Sequence, residues 1–331
     1  MYVPAIPEKQ LIGDKDSGFI EERRQLLERF IRECAKYDYL IESKEFKIFT
    51  QTTQGEVTKQ LEDLPKLGPA QILEKYKIEF SQVKYQDFDK SEIATLREKV
   101  SIFRQFLAKC QASNTQSRNA MMNCVKEHAQ AAKNYQTFYT QMMQFEHAAV
   151  NYFTEGAADE LTLTHSKAEA LSSHIAESVA QFKNPFLEAA LWIRGEMLDI
   201  AGMINSFKAS DEVVAELREN EREKISETEE LAKLRVGKAT LKSFFKSAAE
   251  KEKDIKRLEK SLVQCDKEIE EYKQLIDFIT IVQGRLAIDK FKRDKHRQYQ
   301  RMLHLMSVRS VSNAHLSAEL AARILDLQAQ K

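Results

Sequence analysis

From Ile93 to Tyr152, apolar residues recur at alternating steps of three and four for 60 residues. Ile93, Leu96, Val100, Phe103, Leu107 and Cys110 open the series. Met121, Cys124, His128, Ala131, Tyr135, Phe138, Met142, Phe145, Ala149 and Tyr152 continue it. A repeat of 3.5 residues held this long predicts a supercoiled helix with one apolar seam. At 1.5 Å per residue such a helix is roughly 90 Å long. A chain built on it works through length and shape rather than through a catalytic pocket. Asn114 and Ser117 interrupt the seam, either as a solvated stretch or as a buried polar layer that fixes register in a dimer.

Two further helical stretches follow the first. The expected helices cover about 89–153, 161–236 and 247–328, with Asp89 or Ser91 capping the first. Phe182, Phe186, Ala189, Ile193, Met197, Ile200, Ile204 and Phe207 form the second seam. Ile255, Leu258, Leu262, Cys265, Ile269, Tyr272, Ile276, Ile279 and Leu286 form the third. Gly156 and Gly237 mark the turns. Pro185 predicts either a kink or a break with Asn184 as cap. Charged residues make up 31% of the 331, against nine glycines and five prolines, which favours an all-α chain. Long helices joined by short turns fold back antiparallel. Three of them leave apolar seam uncovered, so a dimer is expected.

Residues 1–52 differ in composition. An extended stretch, Pro4-Ala5-Ile6-Pro7, precedes an amphipathic helix with Phe19, Ile20, Leu26, Leu27, Phe30 and Ile31. A shorter helix carries Tyr39, Leu40, Phe46 and Phe49. Residues 53–88 read as a linker broken by Gly55, Pro65, Gly68 and Pro69. Within it, residues 70–85 form an amphipathic helix with Leu73, Tyr76, Phe80 and Val83 on one side.

No nucleotide-binding glycine loop, nucleophile elbow or histidine–cysteine ligand cluster occurs. No enzyme activity, cofactor or metal is therefore expected. His128 and Trp192 read as packing residues. Four scattered cysteines read as buried thiols of a reducing compartment. The opening residues lack a signal-peptide pattern, and no run of 18 apolar residues crosses a membrane. Formal net charge is zero, so no nucleic-acid partner is expected and any attraction for anionic lipid is local. Between Lys233 and Lys260 ten basic residues face four acidic ones. Lys233, Arg235, Lys238, Lys242 and Lys246 surround Gly237 at a predicted turn, with Phe244 and Phe245 among them. A second cluster holds Lys290, Lys292, Arg293, Lys295, Arg297 and Arg301. Both read either as membrane-docking patches, at about 1 kcal/mol per basic residue, or as a solvated coiled-coil surface.

Pro4-Ala5-Ile6-Pro7-Glu8-Lys9 resembles the proline-rich loop of a PX domain, the phosphoinositide-binding module of sorting nexins. Phe19 to Ile31 is similar to the arginine-bearing helix after that loop, with Arg23, Leu27 and Phe30 on the family spacing and Arg24 off it. The resemblance implies that residues 1–52 are the C-terminal half of a PX domain. Lys9 would contact a lipid phosphate and Arg23 the inositol hydroxyls, a point charge and a planar fork suited to those groups. With three long helices behind it, the chain resembles PX–BAR sorting nexins. The implied fold is all-α: a helical partial PX domain followed by an elongated antiparallel three-helix coiled-coil BAR domain, residues 89–331, forming a crescent dimer. The implied activity is sensing or inducing curvature on phosphoinositide-containing endosomal membranes, from the cytoplasmic side, during protein sorting. The implied partners are anionic membrane, a second copy or another sorting nexin, and retromer. The segment from Leu73 to Val83 would match the membrane-inserting helix that precedes some BAR domains, or else is a linker helix packed on the bundle. For the whole chain, a coiled-coil tether without lipid binding is the alternative.

Overall fold

Asp89 and Glu92 fix where the longest helix begins. Asp89 Oδ1 accepts from the Glu92 amide at 2.8 Å, and Glu92 Oε2 accepts from the Asp89 amide at 3.2 Å. This reciprocal cap satisfies two of the donors that a helix start leaves unpaired. The helix then runs for 64 residues.

The structure, a computed structural model, describes residues 1–8, 17–53, 55–153, 165–236 and 248–329. Among these the elements are helical. They are α1 (Ser17–Cys34), α2 (Asp38–Ile41), α3 (Lys44–Gln51), α4 (Val57–Glu62), α5 (Pro69–Glu79), a 3₁₀ turn (Tyr85–Asp87), α6 (Lys90–Phe153), α7 (His165–Ala180), α8 (Phe186–Arg235), α9 (Ala248–Ile281), a π-helical segment (Val282–Ala287) and α10 (Ile288–Ala329). The all-α expectation holds. The second expected helix, 161–236, is corrected: it divides into α7 and α8 at residues 181–185. Asn184 Oδ1 accepts from the Phe186 amide at 3.0 Å and starts α8, while Pro185 supplies no donor to a continuous ladder. The third stretch is α9, the π segment and α10 in succession. Gly156 and Gly237 lie outside the described residues.

Two compact units share the long helices, and the division on α6 falls at Cys110–Gln111, where the seam turns polar. Asn114 is half-buried there and Ser117 exposed. In the protomer this stretch is solvated.

The first unit comprises residues 1–110 and 198–292. Val100, Phe103 and Leu107 of α6 meet Ile200, Met203 and Phe207 of α8 and Ile288 of α10. Leu73 and Tyr76 of α5 pack against Leu275, Phe278, Ile279 and Val282. The expected helix over 70–85 is therefore Pro69–Glu79, with its apolar side buried, and of its two readings the structure shows packing on the bundle. Gly68 and Pro69 start it, with the Gly68 amide donating to Gln71 Oε1 at 3.1 Å. Leu275 and Phe278 are fully buried, each contributing about 1.5–3 kcal/mol over an exposed position. The π segment sits where α6 comes close: a Cβ on Gly284 would lie 2.9 Å from Leu96 Cδ2. Lys99 Nζ donates to the Gly284 carbonyl at 2.6 Å and pairs with Asp289 at 3.0 Å.

The second unit comprises residues 111–197 and 293–331. Ile175 of α7 and Leu320 of α10 are buried together against Tyr135, Tyr139 and Val179. Trp192 of α8 lies against Tyr299 of α10 with centroids 5.6 Å apart. The seam repeat predicts burial of Phe138, Met142 and Phe145, yet in the protomer they are 55%, 43% and 72% exposed. The local partners of α6 here are reached through Tyr135 and Tyr139 instead, so one face of the repeat stays uncovered.

Candidate functional site

The first half of α1 carries the arginine singled out from the sequence. Arg23 is half-buried, while Leu26, one turn on, is buried at 7% exposure. Its neighbour Arg24 is engaged elsewhere: it bonds Glu21 at 2.6 Å and Glu28 at 3.2 Å on the exposed face. The hydrogen bond from Arg24 pulls the Glu21 carboxyl down to about 2. Arg24 is thus occupied within its own helix, and Arg23 occupies the position between it and the buried face. Pro4 and Pro7 are buried, and Ile6 between them is exposed. Lys9 lies outside the described residues.

What the sequence did not reveal is how the α1 segment is held to the long helices of its unit. Arg29 Nη2 meets Asp199 Oδ2 of α8 at 2.6 Å, with Asp199 10% exposed. Tyr39 donates to the Tyr2 carbonyl at 2.7 Å. Tyr2 fills the space above Gly202, where a Cβ would lie 2.9 Å from both Tyr2 Cε2 and the Val3 carbonyl. Lys290 Nζ sits 3.8 Å from the centre of the Tyr37 ring, a cation–π contact. Burial pushes the Tyr2 and Tyr39 hydroxyls far above the usual phenol range, and Tyr76 up to about 12. One local signal existed: Asp199 is a lone carboxylate inside Met197-Leu198-Asp199-Ile200-Ala201.

The basic turn is described only at its edge. Lys233 pairs with Glu229 at 3.7 Å, and Arg235 with Glu259 at 2.6 Å, all on exposed side chains. Lys238, Lys242 and Lys246, with Phe244 and Phe245, lie outside the described residues. The second cluster divides by role. Lys290 is turned to Tyr37, and Lys295 pairs with Glu196 at 2.7 Å with both side chains nearly buried. Arg293, Arg297 and Arg301, four apart on α10, are exposed.

A cleft of about 240 Å³ in the first unit is lined by Arg97, Arg104, Ser210, Asp211, Thr280 and Gln283, among others. Its arginines are paired: Arg104 with Asp211 at 2.7 Å and Arg97 with Asp277 at 3.0 Å. No group of three histidine, cysteine or acidic residues able to hold a metal occurs among the described residues. No described helix is long and apolar enough to cross a membrane. His128 touches Asn313 and the Phe186 ring.

Residues 1–53 match the family model of the PX domain. The fold of the chain is similar to the cryo-EM structure of the SNX-BAR Mvp1 tetramer, with a TM-score of 0.52. A PX match thus stands at the start of a chain whose fold is similar to an SNX-BAR protein. The likeness covers 98% of this chain and 83% of the Mvp1 chain, at 14% identity. No curated protein matches the chain in sequence. The PX-matching segment meets α8 through Arg29 and Tyr2, and Tyr76 of α5 meets α9, all within the first compact unit.

Proposed function

We propose that this chain is a peripheral membrane protein that dimerises, binds anionic phosphoinositide-containing membrane and senses or induces curvature there during endosomal sorting. The reading rests on one combination, a PX match at residues 1–53 within a chain of SNX-BAR fold. Arg23 and Lys9 would meet the headgroup. Lys233, Arg235, Lys238, Lys242 and Lys246 would meet lipid phosphates. The ion pairs of Lys233 and Arg235 do not oppose this, because exposed pairs contribute only about 0–1 kcal/mol and exchange readily for a phosphate. Each basic residue near an anionic leaflet is worth about 1 kcal/mol, and a dimer presents the set twice. The Mvp1 protein forms a tetramer, and the uncovered Phe138, Met142 and Phe145 give this chain an apolar face for self-association. The second chain is another copy or another sorting nexin, and retromer is a further partner in this reading.

Co-sedimentation with anionic vesicles tests the lipid step. The chain should pellet with them, weaken as salt rises, and lose binding when Lys238, Lys242 and Lys246 become Glu. A self-associated chain that ignores anionic vesicles would instead establish the tether reading, which the zero net charge favours.

A further inference from the structure

The break between α7 and α8 is fastened to two other helices, by side chains of α10 and a backbone carbonyl of α6. Helix α7 ends with the Gln181 and Phe182 amides donating to the Ser178 and Val179 carbonyls. Beyond that, the chain from Lys183 to Pro185 has no helical ladder. Asn313 of α10 takes over. Its Oδ1 accepts from the Lys183 amide at 3.0 Å, and its Nδ2 donates to the Lys183 carbonyl at 2.8 Å. These two bonds fix which end of the Asn313 amide is nitrogen. His128 Nε2 of α6, 3.4 Å from Nδ2, can then take part only as an acceptor. Asn184 adds a second tie, with its Nδ2 donating to the Val125 carbonyl of α6 at 2.8 Å. Arg309 Nη1 reaches the Asn184 carbonyl at 3.3 Å while Nη2 pairs with Glu188 at 2.7 Å.

Along its length, among the described side chains, α7 is held by one apolar seat, Ile175 buried with Leu320 against Tyr135, Tyr139 and Val179, and by one exposed polar contact, His174 Nδ1 with Arg323 Nη1 of α10 at 3.3 Å. We propose that α7 is a hinged strap, latched at Lys183 and Asn184 by Asn313 and the Val125 carbonyl. Opening of that latch is the easiest conformational step of the second unit. A segment tied by a few side-chain hydrogen bonds and one small apolar seat opens before helices that share long seams. Opening uncovers Tyr135, Tyr139 and Leu320. The inference does not depend on the membrane reading.

Amide hydrogen exchange on the full chain tests it, comparing wild type with Asn313→Ala and Asn313→Asp. The Gln181 and Phe182 amides are the readout, because neither bonds Asn313. With Asn313→Ala they should exchange about tenfold faster, together with the α7 amides, while α8 amides from residue 190 onward keep their rates. Asn313→Asp keeps an acceptor for the Lys183 amide and loses the donor to its carbonyl, so it should give a smaller acceleration of the same set. It also serves if the alanine variant fails to fold. Acceleration confined to the Lys183 amide would reduce Asn313 to a local partner and overturn the latch. Equal acceleration across α6, α7, α8 and α10 would also overturn it, because the strap would then open only with the whole unit.

Discussion

Asp199 and Arg29 offer the sharpest perturbation of how the PX segment is carried. Their nitrogen and oxygen are 2.6 Å apart, and their side chains are 10% and 26% exposed. A hydrogen bond to a charged partner in such a place contributes about 1.5–3 kcal/mol. Removing one partner costs more than that net value, because the other stays desolvated and unpaired. Asp199→Ala should therefore lower the opening free energy of α1 by about 3 kcal/mol, and Arg29→Ala by a similar amount. The double variant should lose less than the sum, leaving a coupling of about 2 kcal/mol, or roughly 30-fold in the opening constant. The assay is hydrogen exchange of α1 amides in the full chain, which reads local opening without assuming that both units melt together. Asp199→Asn keeps an acceptor and should recover part of the loss. Additive single effects, with coupling under about 0.5 kcal/mol, would refute the claim that this pair holds α1 to α8.

Other perturbations separate the remaining parts of the account. Gly202→Val would push a side chain into Tyr2 and the Val3 carbonyl. It should cost about 1–3 kcal/mol, seen as faster proteolysis of the N-terminal stretch. Valine is the better probe because alanine regains up to about 1 kcal/mol of helix propensity. Tyr76 is raised to about 12 by burial, so the folded state favours its neutral form. Its contribution to stability is whole below the ordinary phenol pKa of about 10 and is lost as pH climbs toward 12. Urea midpoints measured across that window should fall for the wild type and fall less for Tyr76→Phe. Replacing Phe138, Met142 and Phe145 by Ser should leave the helical circular dichroism of the chain intact and lower its self-association in sedimentation velocity. An unchanged association constant would remove this face from the dimer.

Much of the fold was legible because it rests on local rules. The 3.5-residue repeat located α6, and the expected cap at Asp89 or Ser91 gave its start within a residue or two; the reciprocal bond from Glu92 was added by the structure. Asn184-Pro185 allowed a kink or a break, and the choice was made by Asn313, 129 residues beyond Asn184 in a helix of its own. Arg29 and Asp199 are separated by 170 residues, and no spacing rule connects them. The helix α5 illustrates a different limit. An apolar side reads the same whether it faces a bilayer or Leu275 and Phe278, so amphipathicity could not choose. The seam at Phe138, Met142 and Phe145 shows the converse: periodicity marks a face to be covered without naming what covers it. The π segment was unforeseen, since Gly284 in Val282-Gln283-Gly284 signals only a close approach, here to Leu96. Of the residues read as lipid contacts, Arg23, Lys233 and Arg235 fall within the described structure.

The most direct test of the central claim is binding to vesicles of one anionic, phosphoinositide-containing composition extruded or sonicated to different diameters. At equal accessible lipid the chain should bind the small vesicles more tightly than the large ones, with the preference weakening as self-association is removed. Equal binding to every diameter, or none to any, would contradict the account.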